Sequence, residues 1–147
     1  MYSRLLVTTD GSELSDKALQ AAIELAAATR AELVALHVVP LYPTSYFEGA
    51  ITYEPDVIGR IERQWAEQGQ AVVDAAAAQA TAAGVKARGV IVRSALIADS
   101  VIASARKYEC DLVVMASHGR RGVGRVLLGS ETLHVLTHST IPVLVLR

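Results

Sequence analysis

The stretch Leu5-Leu6-Val7-Thr8-Thr9-Asp10-Gly11-Ser12-Glu13 runs from an apolar segment straight into a polar turn. A helical period follows at once, with Leu19, Ala22, Ile23 and Ala26 at i, i+3, i+4 and i+7. This reads as a strand, a tight exit and a helix, with Asp10 or Ser12 as the cap and Gly11 easing the turn. Four further runs have the same character: Leu33 to Val39, Gly89-Val90-Ile91-Val92, Leu112-Val113-Val114-Met115, and Pro142 to Leu146. Each is short, branched and apolar at nearly every position. That pattern marks strands covered on both faces, as in a parallel sheet.

Helical periods fill the gaps between the runs. Ile58, Ile61, Trp65 and Val72 hold one face of a second helix, which continues through Ala75 to Ala83 and stops at Gly84. Ile97 and Val101 mark a third helix. Leu133 and Leu136 mark a fourth, ended by Ser139-Thr140-Ile141-Pro142. The order βαβαβαβαβ predicts an α/β fold with a parallel sheet and helices on both faces. No internal repeat or linker divides the 147 residues, so one domain over 1–147 is expected. The irregular stretch Pro40 to Asp56 carries three of the four prolines and the aromatics Tyr42, Tyr46, Phe47 and Tyr53. It reads equally as a binding lid or as a surface excursion covering core or a neighbouring subunit.

Composition excludes several function classes. Apolar residues make up 52 % and the net charge is −1, which removes the electrostatic case for a nucleic-acid binder. One cysteine permits neither an internal disulfide nor a four-cysteine zinc site. The first apolar run is too short for a signal peptide, and no stretch reaches the length of about 18 apolar residues that spans a membrane. A soluble, cytoplasmic protein without membrane partners is expected.

In an open parallel sheet, ligands bind beyond the carboxyl ends of the strands, where the strand order reverses. Two strand exits carry unusual residues. The first, Thr8-Thr9-Asp10, is either a plain capped turn or the polar wall of that crevice. The second runs from Met115-Ala116-Ser117-His118-Gly119-Arg120 to Leu127-Leu128-Gly129-Ser130. Four of the ten glycines lie between Gly119 and Gly129, interleaved with Arg120, Arg121 and Arg125. Glycines let backbone N–H groups approach an anion, and Gly129-Ser130 falls where the last helix starts, a position suited to phosphate. A flexible loop with solvated arginines is the alternative, and beside the glycines a phosphate role for Arg120, Arg121 and Arg125 is the better reading. No Walker motif, dinucleotide fingerprint or nucleophile elbow occurs, and the only lysines are Lys17, Lys86 and Lys107.

These motifs resemble the universal stress protein family. Its nucleotide-binding members carry Gly-x2-Gly-x9-Gly-Ser/Thr after the fourth strand. Here the register is Ala116-x2-Gly119-x9-Gly129-Ser130, with alanine at the first position. Val7-Thr8-Thr9-Asp10-Gly11-Ser12, His37-Val38 and Pro142-Val143-Leu144-Val145 are similar to the family too, so the resemblance spans the chain. It implies a doubly wound five-stranded sheet of order 3-2-1-4-5 and an ATP site between strands 1 and 4. Thr9 and Asp10 would lie by the adenosine and the backbone of Val38 by adenine. Met115, Ala116 and Gly119 would line the ribose and phosphate path, and Arg120 would meet the phosphates. Gly129, Ser130 and Glu131 would supply N–H groups, with the Ser130 hydroxyl, to the phosphates. The nucleotide would be ATP, or ADP or AMP. Glu131 stands where the family has an uncharged residue, and its carboxylate is expected to compete with phosphate for the same N–H groups. Arg120, Arg121 and Arg125 would offset that charge, or Mg²⁺ would bridge Glu131 to the phosphates.

Other constellations are weaker. His134 and His138 have metal-ligand spacing without a third ligand, and read as a solvated helix face. His118 either donates to phosphate or orients its turn. His37 and Trp65 read as core residues. Glu109 and Asp111 flank Cys110 and would disfavour its thiolate. No general base and transition-state clamp come together, so binding is better supported than catalysis. The expected protein is a stress-response module that binds an adenine nucleotide with little or slow hydrolysis, and a homodimer through Val143 to Leu146. The alternative is a nucleotide-free dimer of the same family acting by partner binding. An ATP-cleaving ligase or nucleotidyltransferase would need Ser-Gly-Gly-x-Asp-Ser or His-x-Gly-His, and neither occurs.

Overall fold

The computed structural model describes residues 1–42, 54–118 and 128–147. Its elements are β1 (Arg4–Thr8), α1 (Glu13–Thr29), β2 (Glu32–Val39), α2 (Pro55–Ala82), β3 (Ala87–Arg93), α3 (Ile97–Lys107), β4 (Leu112–Ala116), α4 (Ser130–His138) and β5 (Val143–Leu146). All four strand pairings are parallel, and the sheet order is β3-β2-β1-β4-β5. The parallel sheet expected from the alternating runs is found, in the doubly wound order that the family resemblance implies.

Successive residues of a strand face opposite sides, and here both sides are apolar. Leu5, Val7, Leu33, Ala35, Leu112 and Val114 pack with Leu19, Ile23, Ala76 and Ala80, so α1 and α2 cover one face. Leu6, Val34, Leu36, Val113 and Met115 pack with Ala98, Val101, Ile102 and Val135, so α3 and α4 cover the other. The first crossovers therefore lie on one side and the last two on the opposite side. The change of side falls between β1 and β4.

Small residues set the helix spacing. The alanine-rich half of α2 lies close on the sheet, and a Cβ at Gly89 would stand 2.8 Å from the carbonyl oxygen of Val73. The other half of α2 packs more loosely. Ile58, Ile61 and Trp65 are only half-buried, and Trp65 stacks on Tyr42 at 6.0 Å between ring centroids. Trp65 is thus not the core residue its spacing suggests. Pro55 sits at the start of α2, where its missing N–H costs nothing, so the irregular stretch ends before Asp56. Its lid or cover role falls on residues 43–53, outside the described residues.

The amino ends of the strands are closed by ionic contacts. Glu32 accepts from Arg4 at 2.8 Å and from Lys86 at 2.8 Å. Hydrogen bonds from Lys86 and Arg4 hold the Glu32 carboxyl below its ordinary range. Arg4 also donates to the carbonyl of Tyr108 just past α3, a favourable place for a cation. Among the described residues no helix is long and apolar enough to cross a membrane.

Candidate functional site

At the carboxyl ends of β1 and β4 the chain opens into a cleft of about 700 Å³. Its floor and walls come from three strand exits and from the first turns of α3 and α4. Eight expected residues border it: Thr9, Asp10, Val38, Met115, Ala116, Gly129, Ser130 and Glu131. Gly119 and Arg120 lie outside the described residues, as do Arg121, Gly122, Gly124 and Arg125.

The β1 exit is held by backbone groups. Thr9 is buried and donates its N–H to the Leu36 carbonyl at 2.9 Å. Its own carbonyl meets His37 Nδ1 at 2.8 Å. A carbonyl only accepts, so Nδ1 carries the proton. His37 is therefore satisfied, as expected, but it is half-buried and borders the cleft. Asp10 Oδ1 accepts from Ser12 N at 2.9 Å, and Ser12 Oγ caps α1 through Ser15 N at 3.3 Å. Asp10 and Ser12 both work on the turn, in series.

The β4 exit is stitched to the start of α4. Ser117 N–H donates to the Leu146 carbonyl at 2.7 Å, and Gly129 N–H returns to the Ser117 carbonyl at 2.7 Å. Thr132 Oγ1 donates to the Ala116 carbonyl at 3.0 Å. These bonds set the first turn of α4 over the end of β4. The cap of α4 is Gly129, which has no side chain to occupy the first amides. A Cβ there would crowd the His118 Cα and the Ser117 carbonyl oxygen at 3.3 Å. His118 borders the cleft and lies 3.2 Å from Ser117 Oγ, within its own turn.

Glu131 departs from expectation. Its Oε2 accepts from Ala98 N at 2.9 Å, an amide of α3 and not of its own helix. The N-cap of α3 is Leu96, which makes no side-chain capping bond, so Glu131 supplies that cap from across the cleft. A second bridge joins the same two helices, His134 Nε2 to Asp99 Oδ1 at 3.0 Å. His134 also stacks on His138 at 4.2 Å between ring centroids, so the pair is more than a solvated face. No group of three metal-ligating side chains with suitable geometry occurs among the described residues.

The α3 wall, Ile97, Ala98 and Val101, escapes a reading by motif. The sheet order contains the signal: β3 is an edge strand, so the helix returning from it to β4 must cross beside the crevice. Leu133 and Leu136 do mark α4, but they are exposed at 54 % and 39 %, while Thr132 and Val135 are buried. Cys110 is buried, and its thiol is pushed up to about 11. Burial is the main cause and the Asp111 charge adds to it, against a lowering by Arg4. The acidic neighbours alone are the smaller part of why it is no nucleophile.

An open parallel α/β sheet with its crevice at the β1/β4 reversal defines the class of this molecule. Residues 1–147 match the universal stress protein family, and the chain belongs to it. It is 33 % identical over 149 residues to Universal stress protein YxiE of Bacillus subtilis, covering all of both chains. The fold is shared with universal stress protein UspA from Lactobacillus plantarum, at a TM-score of 0.84, 24 % identity, and 99 % and 98 % coverage of the two chains. A universal stress protein solved in complex with cAMP is 28 % identical, with a TM-score of 0.71 and 99 % and 97 % coverage.

Proposed function

We propose that this chain binds an adenine nucleotide in the β1/β4 cleft as a regulatory, stress-response module with little or slow hydrolysis. The observation that carries this reading is the convergence on one cleft of the Thr9-Asp10 exit, Val38 and the glycine-capped first turn of α4. A relative of the same family with cAMP bound supports it. Thr9 and Asp10 then lie by the adenosine and the Val38 backbone by the base. Met115 and Ala116 lie along the sugar, and Gly129, Ser130 and Glu131 stand at the phosphate end. ATP, ADP and AMP are all candidates. Mg²⁺, where it enters, rides on the phosphates, because the cleft's described carboxylates are Asp10 and Glu131, on separate exits. We place the working unit as a cytoplasmic homodimer through β5.

Thermal unfolding of the purified protein with ATP, ADP, AMP or cAMP tests the reading. A concentration-dependent rise in Tm with at least one of them is expected. No shift with any of the four, at millimolar ligand, would favour the nucleotide-free dimer that acts through partner binding.

A further inference from the structure

The phosphate end of the cleft carries a tethered negative charge. Glu131 lies in the first turn of α4, where an unattached carboxylate would be free to rotate toward solvent or toward its own helix's amides. The residue is exposed, yet its Oε2 accepts from the Ala98 N–H at 2.9 Å, a bond that the N-cap residue Leu96 does not supply. The Asp99–His134 bridge at 3.0 Å fastens the same two helices beside it, one residue on along α3 and three on along α4. Moving the carboxylate aside for a ligand would therefore break the bond to the Ala98 amide.

Of the described residues lining the first turn of α4, Glu131 is the one that carries a carboxylate. A ligand's first phosphate at the α4 amides gains from the helix dipole. Each further phosphate adds charge near an anion that is held in place, at an exposed residue where salt screens the repulsion.

We infer that Glu131 is a selectivity residue that biases the cleft toward ligands with one phosphate, linear or cyclic, and against triphosphates. This deepens the nucleotide-binding reading and rests on it.

The experiment compares wild type with Glu131→Gln by calorimetry against adenosine, AMP and ATP, with and without Mg²⁺, at low and high salt. Glutamine keeps an oxygen to accept from Ala98 N–H and removes only the charge. Adenosine affinity should be unchanged, while ATP affinity should rise about three- to tenfold relative to AMP, with the gain shrinking at high salt. In wild type alone, the ATP-to-AMP affinity ratio should increase with salt, a readout that does not depend on the variant folding. An unchanged ratio in Glu131→Gln overturns the inference, as does a wild-type ratio that falls with salt. Weaker ATP binding by Glu131→Gln only when Mg²⁺ is present also overturns it and makes Glu131 a metal ligand. Failure of wild type to bind adenosine, AMP and ATP alike is a different result, because it removes the nucleotide-binding reading itself.

Discussion

Ala116 stands where the nucleotide-binding motif has glycine, and its surroundings explain the substitution. Among the described residues, the non-glycine positions with positive φ are Arg30 and Glu109, so Ala116 carries no left-handed strain. It ends β4, and its side chain belongs to the buried cluster formed with α1 and α2. The methyl therefore packs into the core, at a residue that also borders the cleft. Ala116→Gly should cost about 1 kcal/mol through lost burial and added chain freedom, measured by urea denaturation. Nucleotide affinity should stay within about twofold, because the methyl packs into the core cluster even though the residue borders the cleft. A large gain in affinity would mean that the methyl does face the ligand. The sequence alone shows that glycine is missing at 116 but not which side of the sheet its replacement faces. The Glu131 contact was equally out of reach, since its partner Ala98 lies 33 residues away along the chain.

At the scale of elements, the strands were legible because burial on both faces makes them apolar throughout. Leu5 and Leu6 point in opposite directions and both are fully buried. The face of α4 was not legible from its leucines. Thr132 goes inward because its hydroxyl finds the Ala116 carbonyl, which offsets the cost of burying it, and that leaves Leu133 and Leu136 outside. Helix-on-sheet spacing has a sharper test at Gly89. The atoms that an added Cβ would meet include the Val73 carbonyl oxygen at 2.8 Å and the Val73 carbonyl carbon at 2.9 Å. Both are helix backbone and cannot rotate away. Gly89→Ala should push α2 off β3 and cost about 1–3 kcal/mol, seen as a lower midpoint in urea. Unchanged stability would show that α2 shifts freely, and the close packing would then be incidental.

For the whole molecule, the question is what covers the open edge at β5. The carbonyls of Pro142 and Leu146 accept from Val113 on β4 and from Ser117 just past it. Backbone groups alternate in direction along a strand, so the N–H and C=O of Val143 and Val145 point away from β4, toward the open edge. Leu144, exposed at 39 %, and the exposed leucines 133 and 136 of α4 add apolar surface near that edge. An apolar edge of this kind invites pairing with another strand, and a twofold mate satisfies it in a closed assembly. Val145→Pro removes one outward donor and none of those that serve β4. Proline is tolerated at such a position, where the lost N–H faces outward. The variant should keep its fold, judged by circular dichroism and cooperative melting, and should sediment as a monomer at concentrations where wild type is a dimer. Nucleotide binding should persist in that monomer, because none of the described residues lining the cleft belongs to β5. A variant that stays fully dimeric would place the interface elsewhere and leave the β5 edge exposed to solvent.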